Sequence, residues 1–373
     1  MKKTILFIMT VFLIAGCNST ALNVTVKNVS DIDRTGETVE APLAEIQKKI
    51  PDGRSFIILN EKGIQVPYQI LSDKSSVIFQ VDVKAHDVAK FTIKEGTPEK
   101  YAPKTFGRFV PERKDDFAWE NDRIAYRMYG PALANEYPSN GVDVWVKCTS
   151  DLIVNKFYDN DLHHKISYHV DHGEGLDCYK VGHALGAGGI APYTDTALWV
   201  GNHYTAWKVL DNGPLRTTFQ LTYDSMQVGQ VWLKEVLTIS LDAGSQLNKG
   251  VVTYEGAIPN NMQLAAGIFL HDKPGVMKQD QNAGYMAYGE VATSDAGVPA
   301  GRSYAGVVFT DKVLAMKVQD DHLLGISAYG NKPFTYYFGA GWSKWGFDND
   351  QAWFDYVSNF AKKVQQPLKV SIR

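Results

Sequence analysis

Leu215-Arg216-Thr217-Thr218-Phe219-Gln220-Leu221-Thr222-Tyr223, followed after a short gap by Gln230-Val231-Trp232-Leu233-Lys234-Glu235-Val236-Leu237-Thr238-Ile239-Ser240-Leu241, decides the fold class. Period-2 alternation of apolar and polar residues, mixed with short apolar runs, marks both as strands with one buried face. Asp211-Asn212-Gly213-Pro214 before the first run and Asp242-Ala243-Gly244 after the second supply turn chemistry. Similar short runs recur outward from this pair, at 22–27, 55–59, 65–71, 76–81, 89–93, 123–129 and 142–148, then at 205–210, 250–254, 263–270, 304–309, 312–318, 323–327 and 334–339. Only two helices are expected. One is short, around 42–50; the other opens at Asn349-Asp350 and sets Trp353, Val357, Phe360 and Val364 on one stripe.

The chain therefore reads as all-β: a small N-terminal β domain, then a large antiparallel β-sandwich closed by a C-terminal helix. The boundary falls in the charged, Pro-punctuated segments Glu95-Gly96-Thr97-Pro98-Glu99-Lys100 and Val110-Pro111-Glu112-Arg113-Lys114-Asp115-Asp116. That gives domains at 17–100 and 101–373, after a leader at 1–16.

Composition removes several functional classes. With 38 basic against 41 acidic residues in 373, the formal net charge is -3, which argues against nucleic acid as a partner. Three Cys leave no disulfide framework and no four-Cys zinc site. The leader has its own logic. Met1-Lys2-Lys3, an apolar run to Ile14 and Leu13-Ile14-Ala15-Gly16-Cys17 form a secretory signal ending in a lipobox. Cys17 is then the lipidation site, and the mature protein is anchored to a membrane in the periplasm, the outer membrane by preference. Cys148 and Cys178 remain, either paired or buried as small apolar side chains.

The histidines are unevenly placed. Six of nine (His163, His164, His169, His172, His183 and His203) fall within 41 residues, where an even spread would put about one. At the window's centre stands Tyr168-His169-Val170-Asp171-His172-Gly173-Glu174-Gly175-Leu176-Asp177-Cys178-Tyr179-Lys180-Val181-Gly182. Imidazoles and carboxylates are the side chains most readily tuned for proton transfer near neutral pH, so this stretch reads as a pocket wall. A strand continuing to His172 would put His169 and Asp171 on one face. The alternatives are a solvated polar loop, or a structural calcium held by Asp171, His172, Glu174 and Asp177, although no EF-hand pattern or His-Glu-x-x-His is present. No resident cofactor is expected. Gly186-Ala187-Gly188-Gly189 lacks the Lys-Ser/Thr of a phosphate loop, and no Gly-x-Ser-x-Gly occurs, so nucleotides and a serine triad are set aside.

Aromatic residues form a second signal, since their faces stack on the apolar faces of sugar rings. Trp199, Tyr204 and Trp207 lie beside the histidine window, Trp342 and Trp345 flank Lys344, and Tyr285 and Tyr288 precede Glu290. Arg123 and Arg127 flank Tyr126 at a same-face spacing, suited either to one substrate carboxylate or to salt bridges on a sheet.

These segments carry a resemblance. Residues 121–131, 168–182 and 186–192, with Leu241-Asp242-Ala243-Gly244-Ser245-Gln246-Leu247, resemble a family of periplasmic lipoproteins of glycan-degrading bacteria that is labelled a domain of unknown function. The resemblance implies a galactose-mutarotase-like supersandwich and a place beside pectin- and uronate-degrading enzymes. Glu61-Lys62-Gly63-Ile64-Gln65-Val66-Pro67-Tyr68-Gln69 is similar to the small β domain that precedes exo-acting rhamnogalacturonan lyases. Mutarotases of this fold use a His acid and a Glu base, and His169 or His203 with Glu174 or Glu290 match in type.

The expectation is a lyase acting on uronate-containing oligosaccharides, with His169, His172 and Glu174 as catalytic residues. Arg127 or Lys344 would neutralise the carboxylate as charge develops. Tyr168, Asp177, His203, Tyr204, Trp207, Tyr285, Trp342 and Trp345 complete the expected substrate contacts. A mutarotase, an epimerase, a hydrolase built on paired carboxylates and a non-catalytic glycan-binding lipoprotein are the alternatives.

Overall fold

The structure is a computed structural model that describes residues 21–136 and 139–373. Cys17 and the leader lie outside the described residues. Five antiparallel sheets and three α-helices, α1 (Leu43–Gln47), α2 (Val154–His164) and α3 (Asp350–Gln365), make up the described chain.

The alternating runs that open the sequence pair with each other, Phe219 opposite Ile239 and Leu221 opposite Leu237. They lie in an eight-stranded sheet ordered Ala206–Asn212, Arg216–Val228, Val231–Asp242, Leu247–Gly256, Phe334–Trp342, Pro299–Phe309, Tyr285–Thr293, Gly275–Asp280. Its inner face packs on two five-stranded sheets around one apolar core. One comprises Gly175–Asp177, Asp143–Lys147, Ile124–Met128, Asp116–Asn121 and Thr105–Val110; the other, Ala197–Leu198, Ala187–Thr194, Gln263–Phe269, His322–Ala328 and Val313–Gln319. A parallel bridge from Val142 to Gly186 joins the two smaller sheets. The large domain is thus the all-β sandwich that the period-2 pattern implies. Helix α3 is capped by Asn349, whose side chain accepts from the Ala352 N–H at 3.0 Å, and covers the sheet's outer face with Trp353 and Val357.

Residues 22–95 form a second, smaller sandwich with its own core. The chain's last strand, Lys369–Ile372, returns to it and pairs with Leu22–Lys27. Gln69 ties the two sandwiches together. It accepts from the N–H groups of Leu215 (2.9 Å) and Arg216 (2.8 Å) and donates to the Arg216 carbonyl at 3.1 Å. Arg216 adds an ion pair to Glu40 at 2.6 Å.

Helix α2 corrects the expectation of two helices, and residues 168–174 form turns instead of continuing a strand. The cause is non-local. No side chain at the start of α2 caps it; the carboxylate of Glu120 accepts from the N–H groups of Ile153 (2.8 Å) and Val154 (2.7 Å). Glu120 is itself buried against Lys147 at 2.9 Å. Cys148 and Cys178 are free thiols.

One carboxylate sits inside the large core. Glu235 faces inward from Val231–Asp242, with Tyr223 and Tyr254 opposite it on the two neighbouring strands. Burial, partly offset by the Tyr254 hydroxyl, pushes its pKa from 4.5 up to about 8. A carboxyl raised in the folded state favours folding below its ordinary pKa, and that contribution is lost as pH rises through the folded value. Between pH 4.5 and 8 the parent should therefore lose on the order of 4 kcal/mol relative to Glu235→Gln. Urea unfolding of both proteins across that window checks this; parallel curves would refute it.

Candidate active site

Arg127 is the best-connected buried cation near the histidine window. It points from Ile124–Met128 toward the side covered by α2 and is 1 % exposed. Its Nε donates to Asp143 at 2.8 Å, Nη2 to Asp177 at 2.8 Å and Nη1 to the Tyr168 hydroxyl at 3.1 Å. Asp116 lies 3.7 Å away, and the rings of Tyr129 and Trp145 stand 4.9 and 5.3 Å from the guanidinium. Burial raises the pKa of Asp116, and raises that of Asp177 further with the Asp143 charge, while Arg127 opposes both shifts. Arg127 thus binds carboxylates, but they are the protein's own, so it is not free to meet a substrate. Tyr168 and Asp177 belong to the same closed network.

Above this network sits His169, partly exposed, its Nδ1 3.3 Å from the Asp177 carbonyl, 3.5 Å from the Asp177 carboxylate and 3.6 Å from Asp295. The other expected catalytic groups do not join it. His172 is exposed, its Nε2 3.1 Å from the Ser167 carbonyl; Glu174 pairs with Lys156 at 2.5 Å and Asp171 with Lys344 at 3.2 Å. The proposed calcium ligands are therefore drawn to separate partners, and among the described residues no group of three or more His, Cys, Asp or Glu is disposed to hold a metal ion.

A second cluster lies across the segment 177–180, facing the sandwich interior. Gln263–Phe269 belongs to a five-stranded sheet and Gly275–Asp280 to the eight-stranded one, so residues 270–274 cross between layers. Gly275 lies opposite Glu290 in the register, and the crossing brings His271 Nδ1 within 2.7 Å of Glu290 Oε1. His271 Nε2 is 2.6 Å from the Lys180 carbonyl, which only accepts, so that nitrogen carries a proton. The Nδ1 contact is off the axis of a straight hydrogen bond, so it is a close approach of imidazole and carboxylate. Tyr179 packs edge-on against His271 at 4.9 Å. Tyr288 flanks Glu290, its pKa pushed up to about 12 by burial and then by the Glu290 charge. Gly275 is required here, because a Cβ would lie 2.0 Å from the Tyr288 hydroxyl oxygen.

Three buried polar atoms in this cluster, Glu290 Oε2, the Tyr179 hydroxyl and His271 Nδ1, have no hydrogen-bond partner among the described residues. Buried polar groups are normally paired, so these are the atoms left for a ligand or water. Lys180 and Asp295, 3.6 Å apart, form a rim shared with His169. Glu290 was visible in the sequence beside its tyrosines. His271 was not, because it lies 68 residues beyond the end of the histidine window and only the layer crossing delivers it.

The remaining aromatics are dispersed. Trp342 is 1 % exposed and donates to the Ala300 carbonyl, so it is core and not a sugar platform. Tyr285 faces α3 because it is one residue out of phase with Tyr288 and Glu290. Trp345 is half-buried under Arg123, at 5.4 Å. Trp207 stacks on Phe109 with 44 % exposure. His203 and Tyr204 line a separate pocket. A larger cavity of about 630 Å³ lies between the small sandwich and α3, where Arg216 pairs with Glu40 and Asp242 and Lys363 with Glu37, and no imidazole lines it.

Comparison with known proteins places the chain in a family. Residues 26–370 match the domain of unknown function DUF4861, and the chain belongs to that family. A protein of Formosa agariphila, described as uncharacterized protein P7, is 29 % identical over 94 % of this chain and 93 % of its own. Among solved structures, a glycosyl hydrolase family 38 protein from Enterococcus faecalis aligns over 95 % of this chain at 10 % identity, with a TM-score of 0.50. An alpha-mannosidase from the same species aligns with a TM-score of 0.47 at 10 % identity and equal coverage of this chain. The chain spans about half the length of these two structures, 47 % and 46 %. The likeness is one of fold.

Removing the Arg127 charge leaves buried Asp143 and Asp177 without their arginine, while Asp116 keeps Arg113 at 3.7 Å, so Arg127→Met should cost about 3–5 kcal/mol of stability. Thermal unfolding at pH 7 checks this, and an unchanged midpoint would mean the network is not holding the sheet.

Proposed function

We propose that the protein is a carbohydrate-active enzyme of glycan degradation, a lyase acting on uronate-containing oligosaccharides, with its chemistry at Glu290, His271 and Tyr179. The observation that carries this reading is the pair of buried atoms without a partner among the described residues, Glu290 Oε2 and the Tyr179 hydroxyl, beside the 2.7 Å His271–Glu290 contact. Elimination needs a base for the proton next to the carboxylate and an acid for the leaving oxygen. Glu290 Oε2 would take that proton with its charge steadied by His271, the electron pair would form the new C=C bond as the C–O bond breaks, and Tyr179 would protonate the departing oxygen. Lys273 would face the substrate carboxylate: it lies on the crossing loop, is half-buried and makes no ion pair among the described residues.

The short His271–Glu290 contact also suits proton shuttling at a sugar ring, which keeps a mutarotase or epimerase as the second reading. A panel of pectic and other uronate oligosaccharides separates the two. Products summing to the substrate mass, with new ultraviolet absorbance, are the expected result, and Glu290→Gln and Tyr179→Phe should each lower turnover about 10²-fold or more. Fragments that sum to the substrate plus one water would make the enzyme a hydrolase and end the elimination reading. No mass change would leave the second reading or a glycan-binding role.

The leader supports a lipid anchor on Cys17 and a periplasmic location, as proposals from the lipobox. Cys17→Ser should move the expressed protein from the membrane to the soluble fraction; unchanged membrane association would contradict the anchor.

A further inference from the structure

A pocket of about 200 Å³ lies apart from the His271–Glu290 cluster, where the short 3-10 helix Pro131–Leu133 and residues 201–205 meet the bulged strand around 223–226. Its walls include Pro131, Ala134, Tyr204, Tyr223 and Met226, with His203 as its imidazole and Asp224 as its carboxylate. His203 is 5 % exposed. Its Nδ1 lies 2.8 Å from Asn202 Oδ1, which outweighs a 3.5 Å approach by the Ser139 N–H and places the ring proton on Nδ1. Nε2 is then a bare acceptor, buried and without a partner among the described residues. Burial pushes the His203 pKa down to about 4, so the ring stays neutral across the physiological range.

A second acceptor waits nearby. Asn140 Nδ2 donates to the Ile190 carbonyl at 3.4 Å, but Asn140 Oδ1 is also buried and without a partner among the described residues. Gly201 lies between Asn140 and Met226, so both orphaned acceptors border the same backbone. The Asp224 carboxylate, which accepts from Thr205 Oγ1 at 2.8 Å, is a third acceptor on the rim. Asn202 and Ser225 add groups that can also donate, and the lining holds no cation. Such a set calls for a ligand that donates several hydrogen bonds and carries no negative charge. The volume lies below the range of about 300–1,000 Å³ typical of drug-sized ligands, which limits the occupant to a single ring.

We infer that this pocket is a second binding site, taking one neutral pyranose ring whose hydroxyls donate to His203 Nε2 and whose apolar face lies on Met226 and Tyr204. The inference does not rest on the proposed elimination chemistry, since it concerns binding at another place. Its neutrality requirement also separates it from a site built for uronates.

The test is ligand titration of the mature protein, followed by the ¹⁵N resonance of the His203 ring and by calorimetry. The probes are D-galactose, L-rhamnose and D-xylose, with D-galacturonate as the charged comparison. At least one neutral sugar should saturate and shift Nε2, and galacturonate should bind at least tenfold more weakly. Met226→Trp, which fills the pocket, should weaken that binding tenfold or more while leaving the unfolding midpoint in place. Should Met226→Trp fail to fold, His203→Phe, which removes the acceptor and keeps a flat ring, replaces it with the same expectation. An unmoved His203 resonance with every neutral sugar, tighter binding of galacturonate, or sugar binding indifferent to both variants would overturn the inference.

Discussion

The guanidinium of Arg127 is the constraint on which the site end of the large sandwich depends. It lies on one strand, draws Asp143 from the next and Asp177 from the one beyond, and holds the Tyr168 hydroxyl above them. A buried charge among three carboxylates is stable only while all its partners stay in place. Fixing Asp177 fixes the start of the segment that follows, whose Tyr179 and Lys180 contact His271. Mechanical order thus passes from a buried ion network to the His271–Glu290 cluster.

The cluster itself is a consequence of sandwich topology. A chain that leaves one sheet and enters the facing one must cross the open end of the core, where backbone is exposed and side chains meet from both layers. Residues 270–274 make that crossing next to the inward-facing Tyr288 and Glu290, so an imidazole and a carboxylate become neighbours through a strand order, not through local sequence. Membership of the DUF4861 family and the fold likeness to a glycosyl hydrolase family 38 protein are compatible with that arrangement, but a shared sandwich does not select a reaction. The unpaired Glu290 Oε2 and Tyr179 hydroxyl are what favour chemistry here.

The fold was largely legible because strand alternation is local. The run 231–242 reads as a half-buried strand by itself, and Tyr285 and Glu290 even announce opposite faces by parity. Helix α2 was not legible, since its N-terminal donors are satisfied by Glu120, more than thirty residues away in the chain. The site was legible in residue type and mistaken in partnership. Arg127 does bind carboxylates, but Asp143 and Asp177 are already there; Glu174 and Lys344 are engaged by Lys156 and Asp171. Histidine density drew attention to 163–203, while the shorter approach to a buried carboxylate, 2.7 Å against 3.5 Å for His169, is made by His271 outside that window.

The most direct measurement is hydrogen exchange at the substrate, with the protein and its His271→Ala variant incubated in D₂O with uronate oligosaccharides and followed by proton NMR. Proton removal by Glu290, dependent on the adjacent His271, predicts that the signal of the hydrogen next to the uronate carboxylate disappears with the parent and persists with the variant. Equal loss with both proteins, or its persistence with the parent while the glycosidic bond is cleaved, would contradict the account.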